Sequence, residues 1–160
     1  MMKIYFANGL FALADRMFNE YVVEKIRKMD SNIEVYLPQE NGDINDKMNY
    51  ADSIKIAQED NKELLSSDLV VAILDGDTMD DGVASEIGVA FGKEIPVIGV
   101  YTDLRQHGFE NPEKLEAVKT IGENPFAYIN NYTIGLIKMN GMMVNNIDDM
   151  LEGIKKYSEK

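Results

Sequence analysis

Glu86 is the acid in the segment Gly82–Gly88 (GVASEIG), four residues after one glycine and two before the next. An apolar run, Leu69–Leu74, lies upstream, and a turn carrying Asp75, Gly76, Asp77, Asp80 and Asp81 joins the two. Strand, loop and helix start, in that order, form the mouth of an α/β sheet, where ligands bind. The positive end of the helix dipole favours an ionised carboxylate there. Such a carboxylate, facing a sugar, can attack the anomeric carbon and hold a covalent glycosyl intermediate. The same acid would also serve by complementing the dipole on a solvated face. A P-loop would place glycines and a lysine at this point. This chain places carboxylates, so a phosphate is a poor main target, and a sugar carbon about to lose its leaving group is a better one.

Other residues offer chemistry with a plainer alternative beside it. Asp75, Asp77, Asp80 and Asp81 crowd one loop, and like charges raise one another's pKa, which would keep a proton ready for a general acid. Alternatively the loop is a solvated acidic face in which Asp80 or Asp81 caps the helix. Asp60 sits in the polar stretch QEDNKE. Tyr5 lies near the end of the first strand, either packed in the core or pointing into the crevice to hydrogen-bond Glu86. Asn8-Gly9-Leu10-Phe11 follows, a turn in which the Gly9 backbone can approach a ligand and Phe11 can cover a ring. Asn130-Asn131 offers amides for sugar hydroxyls or merely ends a turn. Asp103 and Arg105 read as a loop ion pair, and the Met-rich MNGMM (Met139–Met143) as core or subunit contact.

The elements that must carry these residues follow from the apolar pattern. Lys3–Ala7 reads as a first strand. Phe11–Met29 has apolar residues at Phe11, Leu13, Met17, Tyr21, Val22, Ile26 and Met29, a helical spacing. Ile33–Leu37 is a short second strand closed by Pro38, and Gln39–Asp46 a polar loop. Tyr50–Ser66 reads as a helix with Ile54, Ala57, Leu64 and Leu65 on one side. Leu69–Leu74 is a third strand, continuously apolar as buried parallel strands are. Gly82–Lys93 is a helix, Pro96–Tyr101 a fourth strand, and Asn111–Thr120 a short helix. Tyr132–Met139 reads as the fifth strand, with Asn140-Gly141 as its turn, and Asn146–Tyr157 as a final amphipathic helix. Strands alternate with helices throughout. The expected fold is therefore a doubly wound, five-stranded parallel α/β sheet, a flavodoxin- or Rossmann-like three-layer sandwich.

Bulk properties narrow the class further. At 160 residues, with 45% hydrophobic residues, one domain spanning 1–160 is expected. There is no cysteine, hence no disulfide or thiolate chemistry. No apolar stretch reaches membrane-spanning length and no signal pattern opens the chain, so a cytoplasmic protein without membrane association is expected. A net charge of −12 argues against a nucleic-acid polymer as partner. The single His107 builds no His-rich metal site, and no metal is expected.

Three blocks together resemble the nucleoside 2-deoxyribosyltransferase family: KIYFANGLF, the acid-bearing helix leading to SSDLVVAILDG, and DDGVASEIGVAFGKEIPVIGVYTDLR. The resemblance runs from about Lys3 to Ile137. It implies that Glu86 is the nucleophile, that Tyr5 holds it, and that Asp60 and Asp80 serve the base site. Asn130 would help place the glutamate and the sugar, with Asn131 one slip away; Gly9, Phe11 and Gly82 would line the substrate. It implies transfer of a 2-deoxyribosyl group between purine or pyrimidine bases, as in nucleotide salvage, without a cofactor and in a homo-oligomer. Relatives that hydrolyse 2-deoxynucleoside 5-monophosphates carry serine near the position of Asp80; Ser85 keeps that alternative open. A non-catalytic nucleotide-binding domain is the third.

Overall fold

A computed structural model describes residues 1–45, 48, 50–123 and 129–159. Its elements, in chain order, are β1 (Met2–Ala7), α1 (Leu13–Met29), β2 (Ile33–Tyr36), α2 (Gly42–Asn45), α3 (Ser53–Leu65), β3 (Leu69–Ile73), α4 (Asp81–Gly92), β4 (Val97–Val100), α5 (Pro112–Ala117), α6 (Asn131–Asn140), β5 (Met142–Val144) and α7 (Ile147–Ser158). The five strands form one parallel sheet in the order β2-β1-β3-β4-β5. This is the doubly wound α/β sandwich expected from the alternation of strands and helices. The order reverses between β1 and β3, and the crevice outside their carboxyl ends is the topological switch point.

β3 is the central strand, and all five of its residues are buried. Successive side chains leave a strand on opposite faces, so β1 feeds two cores. Ile4 and Phe6 join Val22, Val23 and Ile26 of α1 and Met150 and Ile154 of α7. Tyr5 and Ala7 join Leu64 of α3, Val83 and Ile87 of α4, and Ile137 of α6. The second face is the one that carries the candidate chemistry.

The segment Tyr132–Met139, expected as the fifth strand, is instead helix α6. Its buried residues are Thr133 and Ile137, four apart, which is one face of a helix. Eight mostly apolar residues carry no clear period, so the β-branched content misled. Asn130 was also informative: its Oδ1 accepts from Tyr132 N at 2.9 Å and Thr133 N at 3.3 Å, a helix N-cap rather than a turn end. The fifth strand is Met142–Val144, inside the Met-rich segment. Gly141 admits it to the sheet: a Cβ there would lie 1.9 Å from the Val97 carbonyl oxygen.

Smaller corrections concern ends and faces. α1 begins at Leu13, because Ala12 is extended. Of its expected apolar face, Phe11, Leu13, Met17 and Tyr21 are exposed, while Val22 and Ile26 are buried. α3 begins at Ser53, where the Asp52 side chain accepts from Lys55 N at 2.8 Å. Ile54, Ala57 and Leu65 face outward and Leu64 inward. The expected polar loop at 39–46 holds a short 3-10 turn and α2; Asp46 lies outside the described residues.

Candidate active site

Tyr5 is fully buried, and its hydroxyl donates to Glu86 Oε1 at 2.5 Å. The strand's alternation explains the pairing. Tyr5 faces the same side of the sheet as α4, whose Val83, Ile87 and Ala90 anchor that helix to the core. Glu86, one residue before Ile87, is thereby held against the sheet, half-buried. Gly82, four residues earlier, is exposed one turn nearer the crevice.

Burial dominates the electrostatics of this pair. It pushes the Glu86 carboxyl from 4.5 up to about 7; the Tyr5 hydrogen bond opposes the rise, and the Asp60 and Asp80 carboxylates add to it. Glu86 is the sixth residue of α4, past the first turn in which the dipole acts. The expected dipole-favoured ionisation is therefore outweighed by desolvation. Tyr5 is raised far above its usual value, first by burial and then by Glu86, so it remains a hydrogen-bond donor.

Asp60 reaches this cluster from α3. Burial raises its pKa, the Tyr36 hydroxyl opposes that as a hydrogen-bonding neighbour, and Glu59 adds to it. Its Oδ1 is buried and has no hydrogen-bond partner among the described residues. Such an orphaned acceptor costs about 1–3 kcal/mol, a cost that a substrate donor would relieve. Asp80 is exposed and caps α4, with its Oδ1 accepting from Val83 N at 3.1 Å. Gly82 leaves room for that cap, since a Cβ would come within 2.9 Å of the same oxygen.

The remaining loop acids divide by partner. Asp75 accepts from Thr102 N and Oγ1, both at 2.7 Å, and so clasps the ends of β3 and β4. Asp103 and Arg105 form the expected ion pair, at 2.5 Å. Ser85 donates back to the Asp81 carbonyl at 2.9 Å. Asn130 caps α6, and none of its hydrogen bonds among the described residues reaches Glu86.

A cleft of about 350 Å³ opens at the switch point, lined by Asn8, Gly9, Asp15, Asp75, Thr78 and Asp80 among others, with no Lys or Arg among the described residues that line it. Next to it on the chain, Phe11, 80% exposed, lines a recess with Arg16 and Gln39. Two residues missed in the sequence support this corner. Asn19, buried, accepts from Asn8 Nδ2 at 2.7 Å and donates to the Gly9 carbonyl at 3.0 Å and Gln39 Oε1 at 2.9 Å. It pins the β1–α1 turn, and its only signal was a polar residue on an apolar helix face. Tyr36 was hidden at the end of a short strand; its alternation with Val35 was the available clue.

Comparison with known proteins adds to the geometry. A crystal structure of a conserved protein from Enterococcus faecalis V583 is 57% identical, covers 98% of each chain and superposes with a TM-score of 0.94. The 2-deoxyribosyltransferase from Bacillus psychrosaccharolyticus is 19% identical over 93% of this chain and 90% of that one, with a TM-score of 0.60. The Leishmania mexicana 2-deoxyribosyltransferase is 14% identical over 99% and 98%, with a TM-score of 0.65. At those identities the last two speak for the fold alone. No curated protein matches by sequence. The profile of nucleoside 2-deoxyribosyltransferases matches residues 4–151, from β1 into α7 and across every acid described above. On that match the chain belongs to the nucleoside 2-deoxyribosyltransferase family.

Proposed function

We propose that this chain exchanges the base of 2-deoxynucleosides by a retaining double displacement. The observation that carries the reading is the buried Tyr5–Glu86 pair at the switch point, beside a second, underpartnered carboxyl on Asp60. Glu86 attacks the anomeric carbon; its C–O bond forms as the C–N bond to the base breaks. Asp60 or Asp80 gives a proton to the departing base. An incoming base then attacks the same carbon from the face it left, displaces Glu86 and returns a proton to the acid. Two inversions restore the starting configuration. A 2-deoxy sugar suits this route, because no 2-hydroxyl withdraws electrons from the developing cation. The reading takes the chain as one domain at work in the cytoplasm as a homo-oligomer, in nucleotide salvage.

Charge supports free nucleosides as substrates. Asp15, Asp75, Asp80 and Asp81 all line the cleft. Two unit charges about 4 Å apart interact by roughly 4 kcal/mol at an effective dielectric near 20, so a phosphate meets repulsion. A second reading, hydrolysis of 2-deoxynucleoside 5-monophosphates, draws on Arg16 in the neighbouring recess, a cation overlooked in the sequence. A binding domain without catalysis would have no use for Glu86.

The test is incubation with thymidine and adenine. Deoxyadenosine is expected, and without an acceptor the intact mass should gain one 2-deoxyribosyl group on Glu86. Glu86→Ala should lose several orders of magnitude in turnover, as removal of a covalent nucleophile does. Since Glu86 must be ionised to attack, kcat/KM should fall as pH drops through about 7. Preferred cleavage of the monophosphate to free base and deoxyribose 5-phosphate would favour the second reading. Binding with full activity in Glu86→Ala would sink the mechanism.

A further inference from the structure

Three side-chain amides run in a chain from the cleft to the neighbouring recess: Asn8, Asn19 and Gln39. The ends of the chain fix how every amide in it is turned. The Gly9 carbonyl can only accept, so the Asn19 atom 3.0 Å from it is Nδ2. The Gln39 nitrogen faces two acceptors in the same way, the Arg16 carbonyl at 3.3 Å and Glu20 Oε1 at 3.2 Å. Gln39 Oε1 is thus the atom that takes the other Asn19 proton, at 2.9 Å. Both Asn19 N–H groups are then occupied, and its Oδ1 accepts from Asn8 Nδ2 at 2.7 Å. Asn8 must therefore turn its nitrogen toward Asn19 and its Oδ1 away. No hydrogen bond to that Oδ1 is present among the described residues. Asn8 is half-buried, directly after β1, and carries the one amide among the described side chains that line the cleft.

We propose that Asn8 is a substrate-binding residue, and that Asn19 orients its amide so that Oδ1 accepts a hydrogen bond from a hydroxyl of the sugar. The proposal deepens the base-exchange reading and rests on it for the substrate class. In base exchange the base leaves and is replaced, while the deoxyribosyl group stays. An acceptor with one fixed direction suits the part that stays. Placement agrees with this. Asp60 comes from α3, on the face of the sheet that α4 also covers, whereas Asn8 is braced by α1 on the other face. An amide also does what one more carboxylate would not. The cleft already holds four aspartates, Asp15, Asp75, Asp80 and Asp81, and a neutral acceptor adds no charge to them. Because Asn19 is buried and fully hydrogen-bonded, the direction of Asn8 is set before a ligand arrives, which lowers the ordering cost of binding.

The experiment is calorimetric titration in a Glu86→Gln background, which blocks turnover, with 2-deoxyadenosine and its analogues lacking the 3- or the 5-hydroxyl. Asn8→Ala should weaken binding of the full nucleoside roughly three- to tenfold, the scale of one hydrogen bond. With the analogue that lacks the contacted hydroxyl, proteins with and without Asn8→Ala should bind alike; with the other analogue the difference should persist. An equal loss with all three ligands would mean that Asn8 only shapes the turn, and no loss with any would place it outside the site; either result overturns the proposal. So would a loss seen with 2-deoxyadenosine and absent with thymidine, since the contact would then be to the base. Asn8→Asp tests the orienting role. It keeps an acceptor but sets a carboxylate against Asn19 Oδ1, so it should bind no better than Asn8→Ala, and undiminished affinity would overturn that role. Base exchange by the wild-type enzyme without this coupling to a hydroxyl removes the proposal alone. The coupling without base exchange removes the exchange reading alone.

Discussion

At the scale of single residues, the site is a contest between burial and hydrogen bonding. Glu86 needs to be a carboxylate to attack, yet its surroundings favour the acid. Tyr5 works against that tendency by donating to the ionised form. Tyr5→Phe should therefore do two things. The rate should drop by about ten- to a thousandfold, from lost positioning and electrostatic support. The acidic limb of the pH–rate profile should also move above its wild-type position, because the group that lowered the Glu86 pKa is gone. Circular dichroism should report an intact fold, as one oxygen is removed from a ring that stays packed. An unchanged rate with an unmoved limb would mean that Tyr5 contributes only packing. From the residues alone Tyr5 stayed open between core and crevice and Glu86 between nucleophile and dipole complement; the family resemblance implied the pair, and the hydrogen bond between them is seen in the structure. Asn19 was not legible, since its role exists only through hydrogen bonds to Asn8 and Gly9 in the β1–α1 turn and to Gln39.

At the scale of elements, two acids come from two helices and hold different jobs. Asp80 caps α4, so its carboxylate has a structural duty that Asp60 lacks. Asparagine caps helices as well as aspartate does, whereas alanine costs about 1 kcal/mol. Asp80→Asn should leave thermal stability near wild type, and Asp80→Ala should lower it. Asp60→Asn should leave stability intact or better while making the rate more dependent on the basicity of the leaving base. If both Asn variants use all bases as well as wild type, neither is a general acid. The misread α6 belongs to this scale too. Its eight apolar-rich residues fit either a strand or a buried helix, and only the cap at Asn130 and the close approach at Gly141 decide for the helix. Element type was readable where a segment had a period, as in Val83, Ile87 and Ala90 of α4. It failed at Tyr132–Met139, whose mixed apolar residues carry no clear period.

For the whole molecule, holding Glu86 against the inner face of the sheet exacts a cost in stability that depends on pH. Its folded pKa, about 7, lies above the ordinary 4.5. Between those values the folded state retains a proton that the unfolded chain has released. The contribution of Glu86 is thus most favourable below about pH 4.5 and declines until about pH 7, by roughly 3 kcal/mol in all. Glu86→Gln removes the ionisation and keeps an acceptor for Tyr5. It should raise the melting temperature at about pH 8 and change it little near pH 4.5. Equal effects at both pH values would mean that Glu86 is not held in a desolvated site. The parallel, doubly wound sheet was predictable from strand–helix alternation, because parallel strands need crossover connections, whereas the order β2-β1-β3-β4-β5 is read from the strand pairing itself. The carboxylate-rich cleft at the switch point has a kinetic signature. A neutral nucleoside feels no long-range pull or push from it, so its capture should be indifferent to ionic strength. A phosphorylated ligand approaching the same four aspartates would be helped by added salt, which shortens the reach of their repulsion to about 8 Å at physiological strength. Sodium chloride alone, without any variant, thus separates the two kinds of visitor.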